Sequence, residues 1–586
     1  MFLLGLVAAP EQVTSQRLSA LIQQIMGDAT FLSNAGRLQQ VVRDTVVSRL
    51  LPTFWNKPSE IITQIDRKKH MSTNITKKLE GKVALVTGGH HDEARTENRR
   101  PHGIGTGNTA IRDFTHIYIN GEWVKPLGGK VIDIINPATE RPAGQITLGT
   151  AADVDRAVTA ARRAFITFSR SSRQERLDLL SRILEAYLKR QDDLADALTE
   201  ELGAPKKFAK ERQVGVGLLH LQTAIAVLKD YQFEYPQSNR TIIRREPIGV
   251  VGMITPWNWP INQLVVKAFP AFATGCTVVH KPSEVAPFTA HLLAEIFHEA
   301  GLPAGVYNLV DGDGPTVGAA ISAHPGINMV SFTGSIAAGI DVAKRAADSV
   351  KRVHQELGGK SPNIILDDAD LAAAVTENIY RLMLNSGQGC AAPTRMLVQF
   401  DKMDTAKSIA KQVVTSITYG DPQTDVYMGP VVSERQWKRI QSMISKGIEE
   451  GATLLAGGTG HPDGLEIGYY VKPTVFVDVT NDMTIAREEI FGPVLCIIGY
   501  KDVDDAVSIA NDTVYGLAAY VQSASEERAT EIAARIEAGM VFINGASVDP
   551  EAPFGGYKMS GNGREWGEFA FGEFLETKAV IHSKPV

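Results

Sequence analysis

Between Ile248 and Phe332 the chain alternates short apolar runs with longer helical patterns, and this alternation constrains the fold more than any other feature. Ile248–Ile254, Thr277–His280, Val306–Val310 and Met329–Phe332 read as strands. Asn262–Ala273, Pro287–Ala300 and Thr316–Ala323 read as helices. Short apolar strands separated by helices imply βαβ units and a parallel, doubly wound sheet. Ligands of such sheets collect beyond the C-terminal strand ends. That rule draws attention to Thr255-Pro256-Trp257-Asn258, to Lys281-Pro282-Ser283-Glu284 and to Thr333-Gly334-Ser335, each just after an expected strand.

Upstream, Ile117–Val124 reads as strand, turn, strand. Asp153 is expected to open a helix carrying Val154, Val158, Ala161 and Phe165 on one stripe. Ser172-Arg173-Gln174-Glu175 has the capping-box pattern. The helix after it places Leu177, Leu180, Leu184 and Leu188 on one side, and Gly203 and Pro205 should end the helical region.

With 44% hydrophobic and 22% charged residues, the chain has ample material for a core, so disorder as the main state is excluded. A formal charge of -6 gives no electrostatic footprint for nucleic acid or an anionic membrane. The 3 cysteines among 586 residues make no disulfide framework. No apolar run reaches membrane-spanning length, and the apolar start Met1–Ala9 has no basic residue before Arg17. A cytoplasmic location is the expectation.

Residues 1–111 differ in character and are read as an atypical, partly disordered extension. Within them, Leu79–Gly89 resembles the first strand and glycine turn of a short-chain dehydrogenase. The polar stretch His90–His102 separates Gly89 from Gly103-Ile104-Gly105 and breaks the motif, and no βαβ unit follows. Two further motifs fail. Gly312, Gly314 and Gly318 have a spacing one residue too long for a dinucleotide fingerprint, and Gly359-Lys360-Ser361 lacks the first P-loop glycine, since His354 stands there. No metal site is expected; His90-His91 lacks a third ligand.

Four segments carry chemistry. Asn258, in a Trp/Pro-rich loop, offers an amide that can stabilise an oxyanion. Lys281 and Glu284 can bracket a ribose. Glu356 precedes Gly358 and Gly359, and a carboxylate in an apolar cleft becomes a general base near neutral pH. Cys390, after Gln388-Gly389, is a candidate nucleophile. Cys276 and Cys496 read as inert buried cysteines. Each feature alone also has a structural explanation; their joint order and spacing does not.

With Glu488-Glu489-Ile490-Phe491-Gly492-Pro493-Val494 and Pro553-Phe554-Gly555-Gly556-Tyr557-Lys558-Met559-Ser560-Gly561, the sequence resembles the aldehyde dehydrogenase superfamily, in its hydrolytic NAD(P)-dependent branch, over about residues 112–586. The resemblance implies an α/β fold: a doubly wound parallel-sheet cofactor domain (112–228 and 247–357), an α/β catalytic domain (358–570) and a β oligomerisation arm (229–246 and 571–586). It implies that Cys390 attacks the aldehyde, that Asn258 and the Cys390 backbone N–H hold the oxyanion, and that Glu356 activates the hydrolytic water. It implies that Lys281 and Glu284 hold the adenosine ribose and Glu489 the nicotinamide ribose. Thr255, Pro256, Trp257, Gly334, Ser335, Leu357 and Phe491 fall among the cofactor-binding positions, Trp259 and Phe554 in the substrate tunnel, and Glu565 on a secondary proton path. NAD is expected over NADP, because Glu284 would repel a 2′-phosphate. A homodimer or homotetramer and a small aldehyde partner follow from the same resemblance.

The sequence departs from the family pattern at Ile336, where many members have Thr, and in its N-terminal extension. Three rival readings remain: a CoA-acylating dehydrogenase, disfavoured by Glu356; a semialdehyde-specific dehydrogenase; and a non-catalytic scaffold, disfavoured by the intact Cys390, Glu356 and Asn258 set.

Overall fold

The computed structural model describes residues 111–586, and the fragment at Leu79–Gly105 lies outside that range. Two α/β sheets organise the described residues.

The first has eight strands, five of them parallel. Their spatial order is Arg352–Glu356, Met329–Thr333, Val250–Ile254, Thr277–Lys281, Tyr307–Leu309. The chain therefore lays three strands outward in one direction, returns, and lays two in the other. Val250–Ile254 and Met329–Thr333 pair in parallel at the reversal, with Ile254 beside Phe332. This is the switch point at which the loops diverge and leave a crevice. The hairpin Ile117–Ile119/Glu122–Val124 extends one edge antiparallel. On the other edge, Gly561–Asn562 pairs antiparallel with Gln355 and Glu356, so the end of the chain returns to the strand that carries Glu356. The central strands are buried on both faces, which is why they read as continuous apolar runs rather than alternating ones.

Two helices between these strands fall close to their expected positions, Pro260–Thr274 and Phe288–Glu299, and a further one that was not expected, Ile336–Ala347, follows Met329–Thr333. Gly275, at φ 90°, ends the first of them in the left-handed conformation. Thr316–Ala323 differs from expectation, because its first turn, Gly314–Gly318, is a π turn capped by the Asp313 side chain before the short helix Ala319–Ala323. The upstream helix spans Ala151–Phe168. Its cap is Thr150, and Asp153 sits in the first turn, reaching back to the Thr150 N–H at 3.0 Å. The Ser172/Glu175 capping box forms with both bonds, at 2.7 and 3.2 Å. The buried face of the helix it opens is not the expected one. Leu179, Leu180, Ile183 and Tyr187 are buried while Leu188 is exposed, since packing against the neighbouring helices selects a stripe rotated from the leucine repeat. Gly203 ends Gln191–Leu202 at φ 74°, but Pro205 instead precedes a new helical segment from Lys206.

The second sheet has seven strands in the order Thr453–Ala456, Thr474–Val479, Val494–Tyr500, Arg395–Gln399, Pro362–Ile365, Ala518–Gln522, Met540–Ile543, all parallel except the first pair. A separate antiparallel sheet joins Leu575–Ile581, Thr241–Pro247 and Glu234–Ser238, with the first and last as its edges. Among the described residues no helix is long and apolar enough to cross a membrane.

Candidate active site

Cys390 stands in a turn that follows a strained segment. Asn385, Ser386 and Gly387 have φ of 52°, 55° and 74°, three consecutive residues in the left-handed region. Only glycine adopts that region without cost, so the surroundings must hold the other two in place. They do. Asn385 donates through Nδ2 to the carbonyls of Asn258 (2.9 Å) and Gln388 (3.3 Å), and the Ser386 hydroxyl donates to the Gly429 carbonyl at 2.8 Å. Gln388 is locked in turn, accepting from the Val432 N–H at 2.9 Å. The chain is thus bent so that Cys390 lies beside Gly359, where a Cβ would overlap the Cys390 carbonyl oxygen. Cys390 is half-buried, whereas Cys276 and Cys496 are fully buried.

Asn258 is buried in the loop that follows Val250–Ile254, and its Nδ2 donates to the Gln388 carbonyl at 3.2 Å. That long bond leaves the amide available to a stronger acceptor. Glu356 ends Arg352–Glu356. It is buried, and neither carboxylate oxygen has a hydrogen-bond partner. Burial, then the charge of Glu565, hold its carboxyl well above the usual range against the opposing pull of Lys267 and Arg564. Desolvation, then the charges of Glu489 and Glu356, push the Cys390 thiol up to about 12. Burial thus disfavours the charged form of both groups.

Lys281 ends its strand and pairs with Glu284 at 2.9 Å. The Thr255 hydroxyl meets His280 at 2.8 Å, and His280 meets the Tyr307 hydroxyl at 2.7 Å. The Gly334 N–H donates to the Glu356 carbonyl at 3.1 Å, and Ser335 caps Ile336–Ala347. The Leu357 N–H donates to the Ser560 carbonyl at 2.9 Å. Glu489 accepts from the Gly359 N–H at 2.9 Å, and burial raises its carboxyl to about 7. A Cβ at Gly358 would overlap that carboxylate. Trp257, after Pro256, lies edge-on to Phe491 at 5.4 Å. Trp259 meets Phe208 edge-on at 5.4 Å, and Phe554 stacks on Trp566 at 4.6 Å.

Sequence reasoning missed Lys267. It lies fully buried in Pro260–Thr274, donates to the Thr333 hydroxyl at 2.7 Å and pairs with Glu565. A lysine inside an otherwise apolar helix was the available signal.

A profile of the aldehyde dehydrogenase family matches residues 123–580. A 3-succinoylsemialdehyde-pyridine dehydrogenase of a Pseudomonas species is 53% identical over 473 residues, which cover 80% of this chain and 99% of that protein. An aldehyde dehydrogenase C mutant of Pseudomonas syringae, solved with NAD+ and octanal, is 50% identical with a TM-score of 0.80, covering 80% of this chain and 97% of that one. The Mycobacterium tuberculosis aldehyde dehydrogenase solved with NAD+ is 40% identical with a TM-score of 0.79, covering 81% and 99%. The chain belongs to the aldehyde dehydrogenase family. It is an oxidoreductase acting on an aldehyde with a nicotinamide cofactor.

Proposed function

We propose that this protein oxidises an aldehyde to the free carboxylic acid with NAD, through a thioester on Cys390. The observation that carries the proposal is the buried, unpaired carboxyl of Glu356 close enough to the half-buried Cys390 for its charge to act on the thiol.

Cofactor binding fits the residues present. The Lys281–Glu284 pair supplies a carboxylate for ribose hydroxyls at a strand end, Ser335 opens a helix at the switch point, and Glu489 offers a second carboxylate in a space that Gly358 keeps free. Glu284 favours the free 2′-hydroxyl of NAD over the phosphate of NADP. Thr255, Pro256, Trp257, Gly334, Leu357 and Phe491 complete this side of the proposed crevice.

Cys390 loses its proton to Glu356 as its Sγ bonds to the carbonyl carbon. Asn258 Nδ2 and the Cys390 N–H stabilise the oxyanion, each such donor contributing on the order of 10²–10³ in rate. NAD held by Lys281, Glu284 and Glu489 would supply the hydride acceptor that turns the thiohemiacetal on Cys390 into a thioester. Glu356 releases that first proton toward solvent, takes a second from the water that attacks this thioester and passes it to the leaving Cys390 sulfur, so the thiol re-forms as the acid departs. Lys267 and Glu565 hold a buried charged pair, which offers a second route for the proton.

The aromatic pairs Trp259–Phe208 and Phe554–Trp566 favour a substrate whose tail is apolar or aromatic. A semialdehyde is the second reading, favoured by the 53% identity to a semialdehyde dehydrogenase. Residues 112–228 and 247–357 are assigned to cofactor binding and 358–570 to catalysis. The arm, 229–246 with 571–586, presents the exposed edges Glu234–Ser238 and Leu575–Ile581 to a second copy, giving a homodimer or homotetramer.

The test is NADH formation without CoA across short and long aliphatic, aromatic and acidic aldehydes, with Cys390→Ala as control. Turnover that vanishes in the variant supports the proposal, and the ratio of kcat/KM for octanal to that for acidic semialdehydes decides between the two substrates. Turnover that requires CoA overturns it.

A further inference from the structure

His354 lies two residues before Glu356 on the strand Arg352–Glu356, so both side chains project from the same face of the sheet. The imidazole is buried and closely held. A Cβ on Gly563 would overlap its ring, and its Nδ1 lies 3.2 Å from the Ser331 hydroxyl on the neighbouring strand, where Ser331 and His354 are register partners. Its other nitrogen, Nε2, has no hydrogen-bond partner, and neither does either oxygen of Glu356. These orphaned buried atoms face each other, with Nε2 and Oε1 of Glu356 3.7 Å apart. A buried polar group without a partner is costly, and two of them side by side point to a contact that is made and broken. A small rotation of the Glu356 side chain closes the gap.

We propose that His354 is a positioning residue for Glu356: a neutral imidazole, its Nδ1–H directed to Ser331, whose Nε2 lone pair accepts the carboxyl O–H of Glu356. This rests on the reading of Glu356 as the hydrolytic base. The proton that Glu356 takes from the thiol or from water then has an acceptor on the inner side of the site. The protonated carboxyl turns away from Cys390 to meet it, and returns as carboxylate when the proton leaves. No bond other than this proton's changes. Lys267 and Arg564 face both members of the pair, and Glu565, Glu573 and Cys390 also act on Glu356. Burial, and then the two cations, disfavour a charged imidazole. His354 therefore works as an acceptor for the carboxyl proton rather than as a permanent cation.

An acceptor that binds only the acid form of Glu356 raises the pH at which the base becomes active. Removing it moves the acid limb of the kcat profile for acyl-enzyme hydrolysis to lower pH by about 0.7 unit, the equivalent of one hydrogen bond. The experiment compares wild type, His354→Leu, His354→Gln and Ser331→Ala in the full-length protein. It measures steady-state NADH formation from pH 5 to 9, with the single-turnover burst as a separate reading of thioester formation. His354→Leu is expected to shift the limb downward, and His354→Gln, whose amide can still accept, to restore most of it. Ser331→Ala should shift it in the same direction by less, since it frees the tautomer; this variant also serves if His354→Leu does not fold. An unmoved limb in both folded variants overturns the proposal. Glu356→Gln separates the two claims. If that variant keeps the wild-type limb and steady-state rate, the base reading is wrong. If it loses them while His354→Leu and Ser331→Ala leave the limb in place, only the role of His354 is wrong.

Discussion

Gly555 offers the sharpest test of how closely the site is fitted around Glu356. A Cβ at this position would lie 2.7 Å from the Gly563 carbonyl oxygen, 2.8 Å from Arg564 Cδ and 2.8 Å from Glu356 Oε1. Ordinary van der Waals contact begins near ~3.4 Å, so the neighbours must yield by about 0.6 Å. Arg564 can give way along its flexible stem. The Gly563 backbone cannot do so cheaply, because it sits at φ 80° between the strand Gly561–Asn562 and the chain leading to Glu565. The Gly555→Ala strain therefore falls partly on the Glu356 carboxyl. Overpacking of this kind costs about 1–3 kcal/mol. A catalytic group displaced by a full ångström loses roughly 10²-fold in rate, so a shift of about half that predicts a loss of about tenfold. Glu356 serves both thiol deprotonation and hydrolysis, so single-turnover and steady-state NADH formation should each drop about tenfold. Gly572→Ala is the matched control: that glycine is exposed, with nothing within 4 Å of its Cβ position, so turnover should not change. Wild-type steady-state kinetics for Gly555→Ala, with an unchanged Tm, would refute the idea that this glycine makes room for the base.

Three further outcomes are expected. Lys267→Met leaves Glu565 buried and unpaired, which should cost about 3–5 kcal/mol and appear as a lower Tm and a lower midpoint in urea. Glu284→Ala removes the carboxylate that opposes a 2′-phosphate, so the ratio of kcat/KM with NADP to that with NAD should rise about tenfold, roughly 1.4 kcal/mol; an unchanged ratio would show that cofactor choice is set elsewhere. Burial lowers His220 to about 4, beside its hydrogen-bond partner Asn262. The folded state therefore keeps this imidazole neutral while the unfolded chain protonates it. The stability tied to His220 is complete above about pH 6.5 and is lost as the pH falls toward 4. Urea unfolding at pH 7 and pH 5 should show wild type losing about 2 kcal/mol more than His220→Gln over that interval.

The sequence determined the parallel sheet and its strand order between Val250 and Thr333, and it singled out Cys390, Asn258 and Glu356 as the candidate nucleophile, amide and carboxylate. It could do so because those signals are local. An apolar run of five residues, a capping box or a Gln-Gly-Cys turn carries its meaning within a few positions. The failures were also local. The leucine repeat of the helix from Arg173 suggested a face that includes Leu188, yet burial depends on which neighbours arrive. Asp153 looked like a helix start because it directly precedes the apolar stripe from Val154, whereas the cap, Thr150, lies three residues upstream of it.

Only the tertiary structure could decide how the site is assembled around its base. Lys267 and Glu565 are 298 positions apart, and no periodicity links them. Asn385 and Ser386 adopt left-handed backbone because Asn258 and Gly429 accept their side-chain bonds, a conformation their own preferences oppose. The unpaired atoms of His354 and Glu356 are recognisable only once water is excluded from both by the returning strand Gly561–Asn562. Sequence names the groups that can react. Desolvation and long-range contact set their protonation and aim, and both are properties of the packed chain rather than of any segment of it.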